Sequence, residues 1–542
     1  MPTIIIDGRE VECRDGISVL QAALDAGFNI PHYCYHPGLS VVASCRLCLM
    51  EIKMQDPRTG DLAWSPKLTP SCQMPIRDGM EVRFNTPMVA NNQRHVMEYL
   101  LLNHPLDCPV CDQAGECMLQ DYALQFGRAT SRMVDPKHNN ANKDIGPQTL
   151  SYQDRCILCT RCVRFCREVA GTGELCVVNR GHRNEIDVFQ GVPLANKLQG
   201  NVVDICPVGA MLDKKFLMTQ RVWFLESAES VCPMCSRGCT IRIDHNLGKV
   251  WRVKPRFNPH VNGWWMCDTG RFCWDMIYDD RRLLQPTVRR GGAATPVDWK
   301  DVAEIVRGQF ERAGQVDGGK QVGVAVSPFM SCEEAWLLTS FVRETAPGAM
   351  YVVLPTPRVA QDEVFPVGSA REQAKFIISA EKAPNRRGME QVILQASGRH
   401  AATFEDFVVE IGSGRITTAW IASGSPQPWG DSELIKAAEH LEYLVVQDYL
   451  HGLLSETANL VLPTCAWAER EGSFINDQGN LQRFQRAVLP PDGLMQDGQY
   501  LFEIAGHRGV FNAGRVRERM AEAGMSTFAS VAEAPAAPAH AH

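Results

Sequence analysis

The sequence predicts a multidomain chain, α+β in its N-terminal half and doubly wound α/β towards its C-terminus. Three observations predict it. The chain has 542 residues, enough for about three to five domains. Nineteen of its 21 cysteines lie between Cys13 and Cys273. After Pro286, short apolar runs alternate with helical patterns. A composition of 45% hydrophobic and 22% charged residues is that of a globular protein and excludes disorder for the bulk of the chain. A net charge of −7 and a pI near 6.1 exclude a nucleic-acid-binding face as its main business. An odd cysteine count in a long chain, with no basic and apolar leader at its start, argues against a secreted disulfide scaffold. No uncharged apolar run approaches 18 residues, so the expectation is a chain of the cell interior, without a spanning helix, whose thiols serve as metal ligands or redox groups.

Residues 1–85 read as a small α+β domain: a strand at Thr3–Ile6, the Asp7-Gly8 turn, a strand near Val11–Cys13, then a helix from Val19 ended by Gly27. Residues 86–220 read as helix-rich and cysteine-rich, with a polar loop at Asp135–Gly146. A third cysteine cluster occupies residues 232–273, within a domain at 225–285. In residues 286–500, strand-like runs (Gln321–Ser327, Ala349–Leu354, Thr417–Ala422, Leu444–Gln447) alternate with helical patterns (Glu333–Glu344, Asp431–His440), the signature of a parallel sheet. Residues 501–542 read as a tail whose Ala-, Pro- and His-rich end, Ala532–His542, is low in complexity.

Four ligand sets emerge. The first is Cys34, Cys45, Cys48 and Cys72, built on the C-x2-C pair Cys45-Arg46-Leu47-Cys48 with one thiol before it and one well after. Spacing alone serves zinc and a 2Fe–2S cluster equally; the preceding strand–helix order favours the cluster. The second is His104, Cys108, Cys111 and Cys117, reading H-x3-C-x2-C-x5-C. A neutral imidazole replacing a thiolate raises a reduction potential, and zinc is the competing reading. The third set is the sharpest: Cys156, Cys159 and Cys162 form C-x2-C-x2-C, and Cys206 before Pro207 supplies a distant fourth ligand. Three thiolates on one tight loop match three corners of a 4Fe–4S cube, a triple that zinc motifs rarely use. No second such triple lies near Cys206, so one cube is expected, with Cys166 and Cys176 as packing residues. Arg155, Arg161, Arg164 and Arg167 either offset thiolate charge or are solvated. The fourth set is Cys232, Cys235, Cys239 and Cys267, with Cys273 a rival for the last position but reading as helix packing. Cys332 and Cys465 read as buried packing residues too. Trp264-Trp265 and Trp223-Phe224 read as core in preference to interface anchors.

These sets, in this order, resemble the large iron–sulfur subunit of bacterial respiratory complex I, the NADH-quinone oxidoreductase G or 75 kDa subunit family. The likeness is carried by Cys34–Cys48, His104–Cys117, Asp154–Glu168, Asp204–Ala210, Val231–Thr240 and Met266–Phe272, and extends faintly to Ala458–Gln482. It implies a 2Fe–2S ferredoxin-like (β-grasp) domain at 1–85 and a helical ferredoxin-like domain at 86–220 holding two 4Fe–4S clusters, one with the histidine ligand. It further implies a 4Fe–4S domain of the molybdenum/tungsten-enzyme type at 225–285 and a degenerate molybdopterin-oxidoreductase-like domain at 286–500. The implied cofactors are one 2Fe–2S and three 4Fe–4S clusters, with no molybdopterin, because no cysteine falls between Cys332 and Cys465. The implied role is an electron relay with no catalytic residue of its own. It would run from the flavin-bearing NADH-oxidising subunit to a two-cluster ferredoxin-like subunit and quinone, coupled in the whole complex to proton translocation, with the fourth cluster aside from the route. The implied location is peripheral, on the cytoplasmic side of the bacterial inner membrane. The chain lacks G-x-G-x-x-G and is not expected to bind NADH itself.

Three other readings compete. A molybdenum-dependent, NAD-linked formate dehydrogenase shares the N-terminal cluster arrangement. An iron-only hydrogenase shares the first cluster domains but has further cysteine motifs that are missing after Cys273. A zinc-stabilised scaffold predicts a colourless protein without iron.

Overall fold

A computed structural model describes residues 1–55, 60–426 and 430–528. The expectation for Ala532–His542 falls outside the described residues. At the N-terminus, strands run in the order Arg9–Glu12, Thr3–Ile6, Glu81–Arg83, Leu49–Gln55, Leu62–Trp64, with Thr69–Pro70 also on Leu49–Gln55. Thr3–Ile6 pairs parallel with Glu81–Arg83, which closes the first and last parts of the domain onto each other. Helix Val19–Asp25 crosses this sheet. Ser18 caps it by accepting from the Gln21 N–H, and Gly27 ends it in the left-handed region at φ +81°. Its apolar face (Val19, Leu20, Ala23) is buried with Ile4, Ile6, Ile52 and Val82 in one core.

Helices Pro87–Leu101 and Met118–Phe126 follow, the first with Thr86 as N-cap and Pro87 in the opening turn. From Lys143 onward the segment is less helical than its cysteine loops suggest. Thr149–Ser151 pairs with Lys143–Asp144 and Met211–Asp213, and Leu175–Val178 forms a hairpin with Glu185–Val188. Strands Glu226–Val231, Thr240–Asn246 and Lys249–Pro255 make an antiparallel sheet whose first connection carries the fourth cysteine motif.

The C-terminal sheet has seven strands in the order Ala293–Pro296, Thr287–Arg290, Leu460–Pro463, Tyr443–Asp448, Thr418–Ala422, Val322–Val326, Met350–Val353. The last five are mutually parallel. Val322–Val326 and Thr418–Ala422 are buried at every position, as parallel strands covered on both faces must be. One apolar cluster joins the sheet to helices Trp299–Gln315 and Cys332–Thr345 and another joins it to Phe404–Gly412 and Ser432–Ala438, so the winding is double. The chain stays folded past residue 500, where the sequence reading placed a tail. Helix Ala513–Glu522, capped by Asn512, buries Val516 and Met520, four residues apart on one face, in the first of these clusters. Among the described residues no helix is long and apolar enough to cross a membrane.

A buried ion pair fastens the segment after the fourth cysteine set to this domain. Arg282 donates to both Glu469 carboxylate oxygens at 2.8 and 2.6 Å, and the Ala466 N–H donates to Glu469 at 2.8 Å. Removing one partner strands a desolvated charge, so Glu469→Ala is expected to cost about 3–5 kcal/mol. Equilibrium denaturation of the two proteins checks this, and a loss below about 1 kcal/mol would place the pair among surface salt bridges.

Candidate iron–sulfur centres

Each cysteine motif sits where the chain leaves one element for another. In the first set, Cys34 lies in the loop after the first helix, Cys45 and Cys48 lead into Leu49–Gln55, and Cys72 follows Thr69–Pro70. The Ser71 N–H and hydroxyl both donate to the Cys48 carbonyl, at 3.2 and 2.7 Å, tying the distant thiol to the loop. The four sulfurs fall into two pairs. Cys34 and Cys45 share a hydrogen bond at 3.5 Å, and Cys48 bonds Cys72. That first bond, helped by Ser44 and the Cys45 N–H, pulls Cys34 down to about 5, while the bond from Cys72 pulls Cys48 down to about 7. Their partners Cys45 and Cys72 are pushed up by the same bonds and by burial.

In the second set, Cys117 starts helix Met118–Phe126 and its sulfur accepts from the N–H groups of Gln120 and Leu119. Cys111 accepts from Gln113. Cys108 is exposed and electrostatically coupled to both. His104 is half-buried; burial, then the charges of Arg155 and Lys137, lower it to about 4, so it is a neutral imidazole able to act as a ligand. Arg155, whose charge reaches both His104 and Cys111, is buried and paired with Asp107 at 2.8 Å. If His104 ligates, His104→Cys adds an anionic ligand and is expected to keep the cluster while lowering its midpoint potential. A redox-poised EPR titration measures this, and an unmoved potential removes His104 from the ligand set.

In the third set, Leu158 and Thr160 take left-handed backbone at φ 53° and 60°. Such residues turn successive N–H groups towards one centre. The Leu158 N–H meets the Cys156 sulfur at 3.4 Å, and Cys206 accepts from Val208, Ala210 and Met211. Burial and then the thiols Cys159, Cys156 and Cys206 push Cys162 up. Of the nearby arginines, Arg155, Arg161 and Arg164 are buried and only Arg167 is exposed, which decides between the two sequence readings. Cys166 is buried, and Cys176 is half-buried on its strand.

The fourth set hangs on the hairpin connection: the Cys232 N–H donates to the Cys239 carbonyl at 2.9 Å, with Gly238 left-handed at φ +60°. Cys267 starts the turn Asp268–Arg271 and accepts from the Gly270 N–H. Burial and then the thiols Cys273, Cys239, Cys267 and Cys235 push Cys232 up. Cys273, expected only to pack, therefore lies against this set. The C-terminal domain clamps the loop. The Ser379 N–H reaches Cys235, Ser236 donates to the Glu381 carbonyl at 3.0 Å, and Asp477 donates to the Ser236 carbonyl at 2.9 Å.

Two glycines complete the cradles. A Cβ on Gly209 would lie 2.3 Å from the Cys111 sulfur, and one on Gly270 would lie 2.7 Å from that of Cys232. Thiols as donors, N–H groups aimed at sulfur and close backbone approach fit iron–sulfur clusters. Among the described residues, no three His, Cys, Asp or Glu side chains close in on a single metal ion.

The sets do not follow their order in the chain. The third neighbours the first through Arg164, which donates to the carbonyls of Cys34 and Cys159. It neighbours the second through Gly209, set against Cys111, and through the Met118 N–H on the Pro207 carbonyl. The third set is thus the middle one. Gly209, Gly270 and Ser379 carried no role in the sequence reading; the first two stand beside ligand motifs, whereas Ser379 has no local signal. Trp223 and Phe224, expected in the core, are 57% and 58% exposed. The turn Val222–Phe224 packs Val222 and one edge of Trp223 against Gly115 and leaves the rings outside. Trp265 is buried as expected, stacked on His36.

Known families match this layout in five places. A 2Fe–2S iron-sulfur cluster binding domain matches residues 1–87, and an NADH-ubiquinone oxidoreductase-G iron-sulfur binding region matches 93–132. The ferredoxin-like domain of NADH-quinone oxidoreductase subunit 3 matches 146–212, and the NDSU1/NuoG-like 4Fe-4S domain matches 225–275. Molybdopterin oxidoreductase matches 385–506. The NADH-ubiquinone oxidoreductase 75 kDa subunit of Reclinomonas americana is 36% identical over 66% of this chain and 50% of its own length. Its curated homologues are G or 75 kDa subunits of NADH-quinone oxidoreductase. The family member of Rickettsia prowazekii (strain Madrid E) is 39% identical over 56% of this chain and 44% of its own. For NADH dehydrogenase [ubiquinone] iron-sulfur protein 1 of Solanum tuberosum the values are 41%, 59% and 42%. The chain spans about half the length of the curated relatives it matches. Along the chain, 2Fe–2S and 4Fe–4S binding domains are followed by a molybdopterin-oxidoreductase-type domain.

Proposed function

We propose that the chain is the iron–sulfur relay subunit of an NADH-quinone oxidoreductase, taking electrons from a flavin-bearing NADH-oxidising subunit and passing them to a two-cluster ferredoxin-like subunit and quinone. The observation that carries this reading is the contiguity of the first, third and second sets, with the third in the middle. Cys34, Cys45, Cys48 and Cys72 would hold a 2Fe–2S cluster. His104, Cys108, Cys111 and Cys117, then Cys156, Cys159, Cys162 and Cys206, then Cys232, Cys235, Cys239 and Cys267 would each hold a 4Fe–4S cluster. When bound, these clusters accept and release single electrons. The chain's own part is to fix their separation, exclude water from the sulfurs and direct N–H groups at them. Association with the membrane would be indirect, at its cytoplasmic face, through other subunits.

Metal and sulfide analysis with EPR tests the reading. The purified chain is expected to be brown, to hold about 14 iron atoms and to show both 2Fe–2S and 4Fe–4S signals on reduction. Stoichiometric molybdenum with formate oxidation would overturn it in favour of a formate dehydrogenase, and zinc without iron in favour of a scaffold.

A further inference from the structure

Arg161 and Arg164 both belong to the short helix Arg161–Phe165, and they are 1% and 7% exposed. Each reaches across the gap between the first and third sets. Arg161 donates to the Tyr35 carbonyl at 2.7 Å and to the Ile205 carbonyl at 3.2 Å, in the loops of Cys34 and Cys206. Arg164 donates to the carbonyls of Ser40 and Cys34 on one side and of Cys159 on the other. Among the described residues no carboxylate pairs with Arg164, and its buried Nε meets no acceptor. Glu168, the acid nearest in sequence, is engaged by the N–H and hydroxyl of Ser40. Carbonyl dipoles solvate a guanidinium in part, but a buried cation still needs negative charge nearby. The anions at hand are the thiolates of the two sets whose Cys34 and Cys159 carbonyls Arg164 holds.

We propose that Arg164 is a positioning residue whose fixed charge, held between the Cys34 and Cys159 loops, raises the reduction potentials of the first and third clusters together. The proposal rests on the reading that these two sets hold iron–sulfur clusters. Reduction adds one electron, and so one negative charge, to a site screened from water. A buried cation beside both sites stabilises the reduced form of each, because Coulomb energy grows as the local dielectric falls. A cation near one site alone would open a potential step between them. One shared by both lifts the pair as acceptors from an upstream donor and leaves the step between them small. No proton needs to move, since the guanidinium stays charged.

The test is redox-poised EPR on the assembled complex carrying Arg164→Gln, with iron counted on the same sample. At full iron content, the midpoints of the first and third clusters are expected to fall by at least tenfold in reduction equilibrium, about 59 mV for one electron. The second and fourth clusters are expected to stay in place. Unmoved midpoints, a shift of one cluster alone, or an equal shift of all four overturns the proposal. Should Arg164→Gln lose iron, Arg164→Lys decides. Clusters that assemble with midpoints held within a tenfold change support a charge role, whereas lost assembly or larger shifts despite the retained charge overturn it. A wild-type complex lacking both cluster types would instead bring down the iron–sulfur reading on which the proposal rests.

Discussion

Gly209→Ala is expected to cost the protein its second cluster while leaving the third intact. The added methyl carbon would lie 2.3 Å from the Cys111 sulfur and 3.1 Å from the Gln113 Cβ, far inside van der Waals contact. Something must give, and the backbone of residue 209 is the least free to do so. On one side the Pro207 carbonyl receives the Met118 N–H at 3.1 Å. On the other, the Ala210 carbonyl receives the Tyr152 N–H at 2.8 Å, and Met211–Asp213 pairs with Thr149–Ser151. Cys111 therefore moves, and overpacking of this kind costs about 1–3 kcal/mol even without a bound group. A thiolate displaced from one corner cannot close a four-ligand site. Iron is expected to fall by about four atoms, with loss of one 4Fe–4S EPR signal. The third cluster is expected to survive because Val208, Ala210 and Met211, whose N–H groups hold Cys206, are unchanged. Full iron content in Gly209→Ala would mean that Cys111 is not a ligand or that the loop is softer than its hydrogen bonds imply.

What could be read in the sequence is what short-range physics decides. The triple Cys156, Cys159, Cys162 declares its geometry because three residues per step on one loop leave few ways to turn. The strands Val322–Val326 and Thr418–Ala422 declare burial on both faces through unbroken apolar runs. Gly27 stops the first helix where its pattern ends. What could not be read is set by contacts between residues far apart in the chain. Nothing near Arg164 says that its partners are the carbonyls of Ser40 and Cys34, more than a hundred residues earlier. Nothing near Ser379 says that its N–H faces Cys235. The middle position of the third set follows from the same long-range packing. Trp223 and Phe224 were misread for a related reason: an aromatic pair has the same composition inside a core as on a surface held ready for a partner.

Cys267→Ser and Cys273→Ser are expected to part company, and the pair decides which thiol completes the fourth set. Both are buried, and both lie close to Cys232. Their other neighbours differ. Cys267 is coupled to Cys235, and Cys239 is coupled in turn to Cys235 and Cys267, so Cys267 faces three candidates at once. Its sulfur accepts the Gly270 N–H at the start of the turn Asp268–Arg271, a contact that favours a thiolate. Cys273 stands at the start of the turn Cys273–Tyr278, where burial and then the Cys267 charge push its thiol up. Burial raises both thiols and each sulfur accepts one backbone N–H, so what singles out Cys267 is the three candidates it faces. Cys267→Ser is therefore expected to lose about four iron atoms. Cys273→Ser is expected to keep the full count with a stability loss on the order of 1–2 kcal/mol, from a hydroxyl buried among apolar neighbours. Iron analysis and denaturation on the two variants measure both effects. The reverse pattern would assign the corner to Cys273 and make Cys267 the packing residue, and loss of iron in neither would remove the fourth cluster from the chain. The clamp from Ser379, Glu381 and Asp477 gives the outcome a further consequence. A fourth site emptied by Cys267→Ser leaves the Ser379 N–H without an anionic sulfur, so the contact between the hairpin loop and the C-terminal domain should loosen as well. That loosening separates a ligand from a packing residue independently of the iron count.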